Sequence, residues 1–209
     1  MDYITYTPVA SFIFAITIIV SLLAFSNENL YAKMILHPYS VSRKKDLFTL
    51  ITSGLIHKDW MHLIFNMLSY YFFAFQLEVY IGHLQFGLLY VASLVLSDLP
   101  SVAKHKDDYS YYSLGASGAV SAVIFSFIMF SPMSKMLILP LPIPIPAILF
   151  GVLYLVYCNY AAKYSRDNIN HDAHLFGALS GVAITIILNP SIVPTFVHQI
   201  TGGVQSLLH

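Results

Sequence analysis

Charged side chains are scarce in this chain. Lys, Arg, Asp and Glu together make up 10% of its 209 residues, whereas hydrophobic residues make up 57%. An ordinary soluble domain carries about 25% charged residues, so a polar surface cannot cover the apolar segments here and lipid must cover them. We therefore expect one integral-membrane domain over residues 1–209, in contact with the lipid bilayer. The formal net charge is zero and the basic residues are scattered, which favours no nucleic-acid partner.

Cysteine is nearly absent as well. The only one, Cys158, lies in an apolar run, which excludes a disulfide framework and a cage of several thiolates around a metal ion. We expect neither a metal nor a cofactor. The period-2 alternation of a β-barrel is also lacking, so helices are the expected spanning form, because they satisfy their own backbone groups in lipid.

Six apolar segments approach the roughly 20 residues that a helix needs to cross the hydrocarbon core. They predict an all-α membrane protein, a bundle of six transmembrane helices at approximately 9–25, 60–80, 82–98, 114–131, 141–160 and 172–189. Before the fifth segment, proline at every second position from 140 to 146 predicts an extended stretch. The tail, 190–209, is mildly amphipathic, as expected of a segment in the membrane interface. The connection over 26–59 is either a solvated loop or an element lying partly in that interface.

Three polar clusters open alternate apolar segments. His57, His62 and Asn66 precede and begin the second segment, Ser117 begins the fourth, and His174 begins the sixth. In an antiparallel bundle these three segments run in the same direction, so their first residues lie on one side of the membrane at similar depth. Polar groups within a membrane usually face the bundle interior or a water-filled cavity. The clusters are therefore expected to meet.

Helical spacing orients each cluster. His62 and Asn66 are four residues apart and project from one face. His174, Gly177 and Gly181 form a stripe on the sixth segment, and its glycines allow close approach of a neighbouring helix. If that stripe packs on the small face of the fourth segment, His174 meets Ser117.

These residue types suit nucleophilic catalysis. A serine hydroxyl needs an adjacent base, and a neutral histidine can accept its proton. The backbone N–H of Ser117 near a helix start, with Asn66 and His62, could stabilise an oxyanion. No carboxylate is placed to complete a triad, since Glu78 lies at the far end of its segment and the Asp172 side chain diverges from that of His174. The sequence therefore favours a Ser-His dyad.

The chain resembles the rhomboid family of intramembrane serine proteases from about Leu47 to Asn189, the core of the predicted domain. The resemblance is carried by an ordered set of motifs: His57-x4-His62-x3-Asn66, Glu78-x3-Gly82 with Phe86 and Tyr90, Gly115-Ala116-Ser117-Gly118, and Ala173-His174-x2-Gly177-x3-Gly181.

By resemblance, Ser117 is the nucleophile, His174 is its base, and His62 with Asn66 lines the oxyanion site. His57 and the glycines 115, 118, 177 and 181 are supporting residues. The resemblance implies cleavage in or near transmembrane segments of membrane-protein substrates, without metal or cofactor, and a first loop over 26–59 embedded sideways in the membrane.

Two features depart from the family pattern. Many members place an aromatic ring four residues after the nucleophile, under the histidine, where this chain has Ser121. The second departure is orientation. Every Lys and Arg except Lys135 falls on the side of the Ser117 cluster, and the positive-inside rule then places this side in the cytoplasm. In bacterial members of the family the active site usually faces outward, so both orientations of this chain stay open. The expected location is a bacterial cell membrane.

Three other functions remain possible for these residues. A metal site could use His57, His62, His171 and His174, although no H-E-x-x-H pattern supports it. A transporter could use the histidines as a proton relay, although no internal repeat supports one. A catalytically inactive relative could bind membrane proteins, although such relatives typically lack the serine or the histidine.

Overall fold

The computed structural model describes residues 3–138, 141–167 and 169–208. Apart from one hairpin and a single 3-10 turn at Ser53–Leu55, the regular structure of these residues is helical. The helices are α1 Tyr3–Tyr6, α2 Pro8–Phe25, α3 Glu28–Met34, α4 Pro38–Val41, α5 Thr49–Thr52, α6 Trp60–Ile81, α7 His83–Lys104, α8 Ser117–Phe130, α9 Ala147–Tyr164, α10 His171–Leu188 and α11 Ile192–Leu208; the strands are β1 Lys135–Ile138 and β2 Leu141–Pro146.

Each of the six predicted apolar segments largely coincides with one helix of 14–22 residues, and the all-α membrane class is confirmed. The helix of the fifth segment begins only at Ala147, because the first residues of that predicted segment form the strand Leu141–Pro146. Within the described part of the chain, four helices are long and apolar enough to cross a membrane, namely α2, α7, α9 and α10. Helix α6 has 22 residues but is not among these four, and α8 is apolar but has only 14 residues. Six crossings therefore stay a prediction, although six helices build the bundle.

Helix α8 lies at the centre of the bundle and packs most closely on α10. A Cβ atom added to Gly177 would collide with the backbone of Gly118, and one added to Gly181 would collide with that of Ala122. The glycine stripe therefore packs on α8 as the sequence predicts, because only the missing side chains let the two backbones approach. Side chains of α6 and α7 complete the core around Val123 and Leu89, both fully buried.

Glu78 stabilises the end of the bundle at which α6 joins α7. Its carboxylate is fully buried and accepts hydrogen bonds from the backbone N–H groups of Val9 (3.1 Å) and Ala10 (2.6 Å) at the start of α2. His83 Nδ1 lies 2.6 Å from the same carboxylate. Gly82 joins α6 to α7 with φ +86°, a backbone conformation that favours glycine. Glu78 thus ties the ends of three helices together.

The connection over 26–59 packs against the bundle through short helices. Met34, Leu36 and Ile56 are buried, and Leu36 exchanges two backbone hydrogen bonds of 3.0 Å with Ser113. A wholly solvated loop would not bury these side chains, so that alternative is wrong. A position within the membrane interface stays a prediction.

The proline-rich stretch before α9 is extended, as predicted. Strands β1 and β2 pair antiparallel, with Lys135 opposite Pro146 and Leu137 opposite Pro144. The predicted interfacial tail forms helix α11.

Candidate active site

The first turns of α6, α8 and α10 converge on one cavity of about 890 Å³. Its lining includes the four residues predicted to do the chemistry, His62, Asn66, Ser117 and His174. The three polar clusters, distant in sequence, therefore meet at one end of the bundle. The remaining lining comes from the 26–59 connection, the segment 110–114, Tyr154 of α9 and the chain before α10.

Ser117 is the first residue of α8. The first N–H groups of a helix have no acceptor within it, so backbone donors stand beside the Ser117 hydroxyl. The preceding Gly115 has φ +111°, and a Cβ there would lie 2.5 Å from Cε1 of His62. The glycine therefore permits both the turn into α8 and the contact with the His62 ring. A Cβ at Gly118 would collide with Ser97 of α7.

His174 lies one turn before the contact of Gly177 with Gly118, on the cavity wall that it shares with Ser117. Among the described residues, no hydrogen bond joins the Ser117 hydroxyl to the His174 ring. Such bonds are often long before a substrate binds. Both side chains line the same cavity, which has room for a reacting group.

An unexpected residue holds the His174 ring. Tyr154 of α9 stacks on it, with ring centroids 6.4 Å apart and an interplanar angle of 12°. The Tyr154 hydroxyl lies 2.9 Å from Ser121 Oγ. Another helix thus supplies an aromatic ring beside His174, and Ser121 is hydrogen-bonded to the hydroxyl group of that tyrosine. Sequence spacing gave no signal for Tyr154.

His62 and Asn66 lie on one face of α6, as expected. His62 Nδ1 accepts a long hydrogen bond of 3.5 Å from the Lys58 backbone N–H, which leaves Nε2–H as a donor in the neutral ring. Asn66 donates one amide proton to the His62 carbonyl at 3.1 Å and retains a second. Both side chains can therefore offer a proton to a negatively charged group in the cavity.

His57 stands behind His62 and is not part of the cavity lining. It is fully buried, and its ring centroid lies 4.9 Å from that of His62. Its Nδ1 lies 2.9 Å from Ser21 Oγ, whose hydroxyl donates to the Leu55 carbonyl, so Nδ1 carries the proton. Burial, and then the neighbouring His62, lower the pKa of His57 to about 3. This ring is neutral and supports His62 from behind.

Asn170 was missed from the sequence. Its side-chain oxygen caps α10 by accepting from the Ala173 N–H at 3.0 Å. Its amide donates to Ser101 Oγ of α7 at 2.9 Å and to Ser113 Oγ at 3.0 Å. One side chain thus fixes the start of α10 against two other segments that border the cavity. An asparagine directly before an apolar helix is a recognisable N-cap signal.

A further group lies beside His174, for which the sequence indicated His171 as a candidate ligand but not Asp167 or Cys158. His171 Nε2 lies 3.1 Å from both carboxylate oxygens of Asp167, while the carboxylate of Asp172, which diverges as expected, pairs with Lys104 at 2.8 Å. Hydrogen bonds from Ser165 and His171 hold the pKa of the Asp167 carboxyl below its ordinary range. Cys158 of α9 lies close to both His171 and His174. The i, i+4 spacing of Asp167 and His171 was a usable signal, but nothing in the sequence placed Cys158 here.

Comparison with known proteins decides the family. The model of the Rhomboid domain matches residues 44–191, well over half of the chain. The chain belongs to the rhomboid family.

Relatives in the rhomboid family are moderately similar. "Putative rhomboid protease YdcA" of Bacillus subtilis (strain 168) is 30% identical over 148 residues, covering 66% of this chain and 65% of the relative. "RHOMBOID-like protein 12, mitochondrial" of Arabidopsis thaliana is 33% identical over 147 residues, covering 63% and 44%. "Rhomboid protein 1, mitochondrial" of Saccharomyces cerevisiae is 28% identical over 137 residues, covering 64% and 40%. The chain thus matches less than two thirds of the length of each of these relatives.

Membership of the rhomboid family fits the geometry of the cavity. The matched range includes every residue predicted for the site, from His57 to Gly181. The chain is accordingly an integral membrane protein of a family that includes intramembrane proteases.

Proposed function

We propose that this rhomboid-family chain is an intramembrane serine endopeptidase. It hydrolyses peptide bonds in or near transmembrane segments of other membrane proteins, with Ser117 as nucleophile and His174 as base. The observation that carries the proposal is the single cavity in which Ser117, His174, His62 and Asn66 face the same space. We assign the protein to a bacterial cell membrane because of its Bacillus relative; two other relatives are named mitochondrial, so fractionation of the source cells tests this location.

Acylation begins when His174 takes the proton of the Ser117 hydroxyl and the oxygen attacks the substrate carbonyl. The resulting oxyanion accepts hydrogen bonds from the Ser117 backbone N–H, the Asn66 amide and His62 Nε2–H. These donors are held in place before the reaction, which is how preorganised dipoles lower a barrier. The tetrahedral intermediate then collapses, and protonated His174 gives its proton to the leaving amine.

Deacylation repeats the same proton transfers with water. His174 takes a proton from a water molecule, whose oxygen attacks the ester carbonyl of the acylated Ser117. Collapse of the second intermediate returns the proton to Ser117 Oγ and releases the new carboxyl end. Access of water through the cavity is required for this step, since the surrounding helices are apolar.

Tyr154 is a positioning residue in this proposal. Its ring lies nearly parallel to that of His174, and its hydroxyl is held by Ser121. This support limits rotation of the imidazole while it exchanges protons. Asn170 acts similarly on the backbone, because it fixes the first turn of the helix that carries His174.

The decisive experiment uses purified protein in detergent or vesicles. Ser117→Ala should abolish cleavage of a model transmembrane substrate and abolish labelling by a fluorophosphonate probe, because the nucleophile is gone. His174→Ala should also lose labelling. Ser69→Ala is the matched control, since Ser69 lines the same cavity on α6, and it should remain labelled and active.

Cleavage by the Ser117→Ala variant would contradict the mechanism. A wild-type chain that binds a transmembrane substrate but shows neither cleavage nor labelling would instead be an inactive, membrane-protein-binding relative.

A further inference from the structure

Three side chains with metal-binding atoms meet where α9 packs against the first turn of α10. Cys158 Sγ and one ring nitrogen of each of His171 and His174 lie within 4.8 Å of one another. Cys158 and His171 are buried, and His174 reaches the cavity. A thiol and two imidazoles form the donor set that zinc and similar borderline-soft cations prefer.

One ring nitrogen of His171 is available to a metal ion. Its Nε2 lies 3.1 Å from both oxygens of Asp167, and because a carboxylate only accepts, Nε2 carries the proton. Nδ1 then has a free lone pair. This atom is buried and has no hydrogen-bond partner among the described residues. An imidazole held by a carboxylate through one nitrogen, with the other nitrogen free, is the usual arrangement of a metal-binding histidine.

Small movements would close the three atoms around an ion. Ligand atoms about 2.0–2.3 Å from a tetrahedral zinc lie roughly 3.3–3.6 Å from one another. The present separations, all within 4.8 Å, therefore exceed the bonded ones by at most about 1.5 Å, within reach of small side-chain rotations. Three protein ligands leave the fourth position to a water molecule, which the adjacent cavity can supply.

We propose that Cys158, His171 and His174 form a binding site for Zn²⁺ or a cation of similar softness, and that its occupation switches off the active site. On binding, the Cys158 thiol releases its proton and the thiolate joins the two imidazoles on the ion. The metal ion then binds a ring nitrogen of His174. The bound ring can no longer accept the proton of the Ser117 hydroxyl. The inhibitory half rests on the proposed function; the binding half does not.

Cobalt(II) is the probe for binding, because a cobalt–thiolate bond gives a charge-transfer absorption that histidines alone do not give. Cys158 is the only cysteine in the chain, so any such band must come from this site. We expect the band to saturate at one Co²⁺ per chain in the wild type and in Ser117→Ala. Cys158→Ser should lose it, and His171→Ala should weaken binding by at least about 10-fold, since a ligand matters no less than its outer-shell partner.

Two controls sharpen the titration. His198→Ala removes an exposed histidine of α11 far along the chain and should leave the band unchanged. Asp167→Asn keeps all three ligands but removes the carboxylate behind His171, so its Co²⁺ affinity should fall about 10–100-fold. Mg²⁺, which prefers oxygen ligands, should produce no change and should not displace Co²⁺.

The inhibitory half is tested by cleavage of the model substrate under increasing Zn²⁺. Wild-type cleavage should be lost and should return on chelation. Cys158→Ser should keep the basal rate and need at least about 10-fold more Zn²⁺ for half inhibition. Equal sensitivity of wild type and Cys158→Ser would overturn regulation through this site.

Absence of a thiolate band, or a band unaffected by His171→Ala, would overturn the binding site itself. The proposed protease function fails differently: no cleavage would be seen at any metal concentration, while Co²⁺ binding to Ser117→Ala would still decide the metal site.

Discussion

Two buried polar clusters at opposite ends of the bundle differ in how completely they are satisfied. At one end, both Glu78 oxygens accept hydrogen bonds and the carboxylate is sealed from the surface. At the other end, Ser117 and His174 face an open cavity, and the buried nitrogens His57 Nε2 and His171 Nδ1 lack partners among the described residues. The first cluster holds helices together, whereas the second cluster has donors and acceptors that are still free to bind another group.

The difference has a physical meaning. A buried polar group without a partner costs stability, so a fold tolerates it where the free atom serves another purpose. Satisfied groups, by contrast, have nothing left to offer a substrate or an ion. Substitutions of the residues that line the cavity should therefore change rates and binding, and substitutions of Glu78 should change stability.

Asn66→Ala is the strongest test of the open cluster after loss of the nucleophile itself. Removal of one preorganised oxyanion donor typically lowers kcat about 10²–10³-fold. We expect that loss in a cleavage assay, with slower but complete fluorophosphonate labelling of Ser117 and an unchanged melting temperature. Full turnover by the variant would remove Asn66 from the oxyanion site.

Tyr154→Ala should lower kcat by up to about 10²-fold with little change in KM, because a misdirected base can cost that much. Tyr154→Phe keeps the ring that packs on His174 and loses only the bond to Ser121. We expect it to restore most of the rate. If both variants were equally impaired, the hydroxyl rather than the stacked ring would be the important group.

Glu78→Ala tests the closed cluster. The backbone N–H groups of Val9 and Ala10 would lose their acceptor, at a cost of about 1–3 kcal/mol. Thermal unfolding should therefore occur at lower temperature, while the rate per folded molecule stays near that of the wild type. A large loss of rate without loss of stability would show that Glu78 does not act mainly by holding the helices together.

The last prediction concerns pH and His57. Its folded pKa is lowered to about 3 from an ordinary 6.5, so the unfolded chain takes up a proton first as the solution is acidified. Stability is therefore retained above about pH 6.5 and falls from there towards pH 3. His57→Asn should flatten this part of the stability curve, measured by thermal unfolding at several pH values. An equally steep curve in the variant would assign the acid sensitivity to other groups.

Periodicity and spacing predicted much of this molecule. The helices that carry Ser117, His62 and His174 begin within a few residues of the expected positions, since apolar length and helix direction are local properties of the chain. The close contact of Gly177 with α8 was also predictable, because small residues on one face of a membrane helix typically mark a close contact with a neighbouring helix.

Residue spacing could not predict contacts between elements whose sequences share no common pattern. Tyr154 and Cys158 both lie in an apolar run where any side chain could face lipid, and only the packing of α9 turns these two toward His174. Asp167 precedes α10 in an irregular segment, so its position beneath His171 depends on how that segment folds back. The helix rotations that decide such contacts are set by packing of the whole bundle.

The ring that steadies His174 is anchored in α9, whereas Ser117 is anchored in α8. Helices of different apolar length respond unequally when the surrounding lipid becomes thinner or thicker, by tilting or shifting. A change of acyl-chain length should therefore shift Tyr154 relative to Ser117, and the rate of the proposed cleavage should then depend on the thickness of the host membrane.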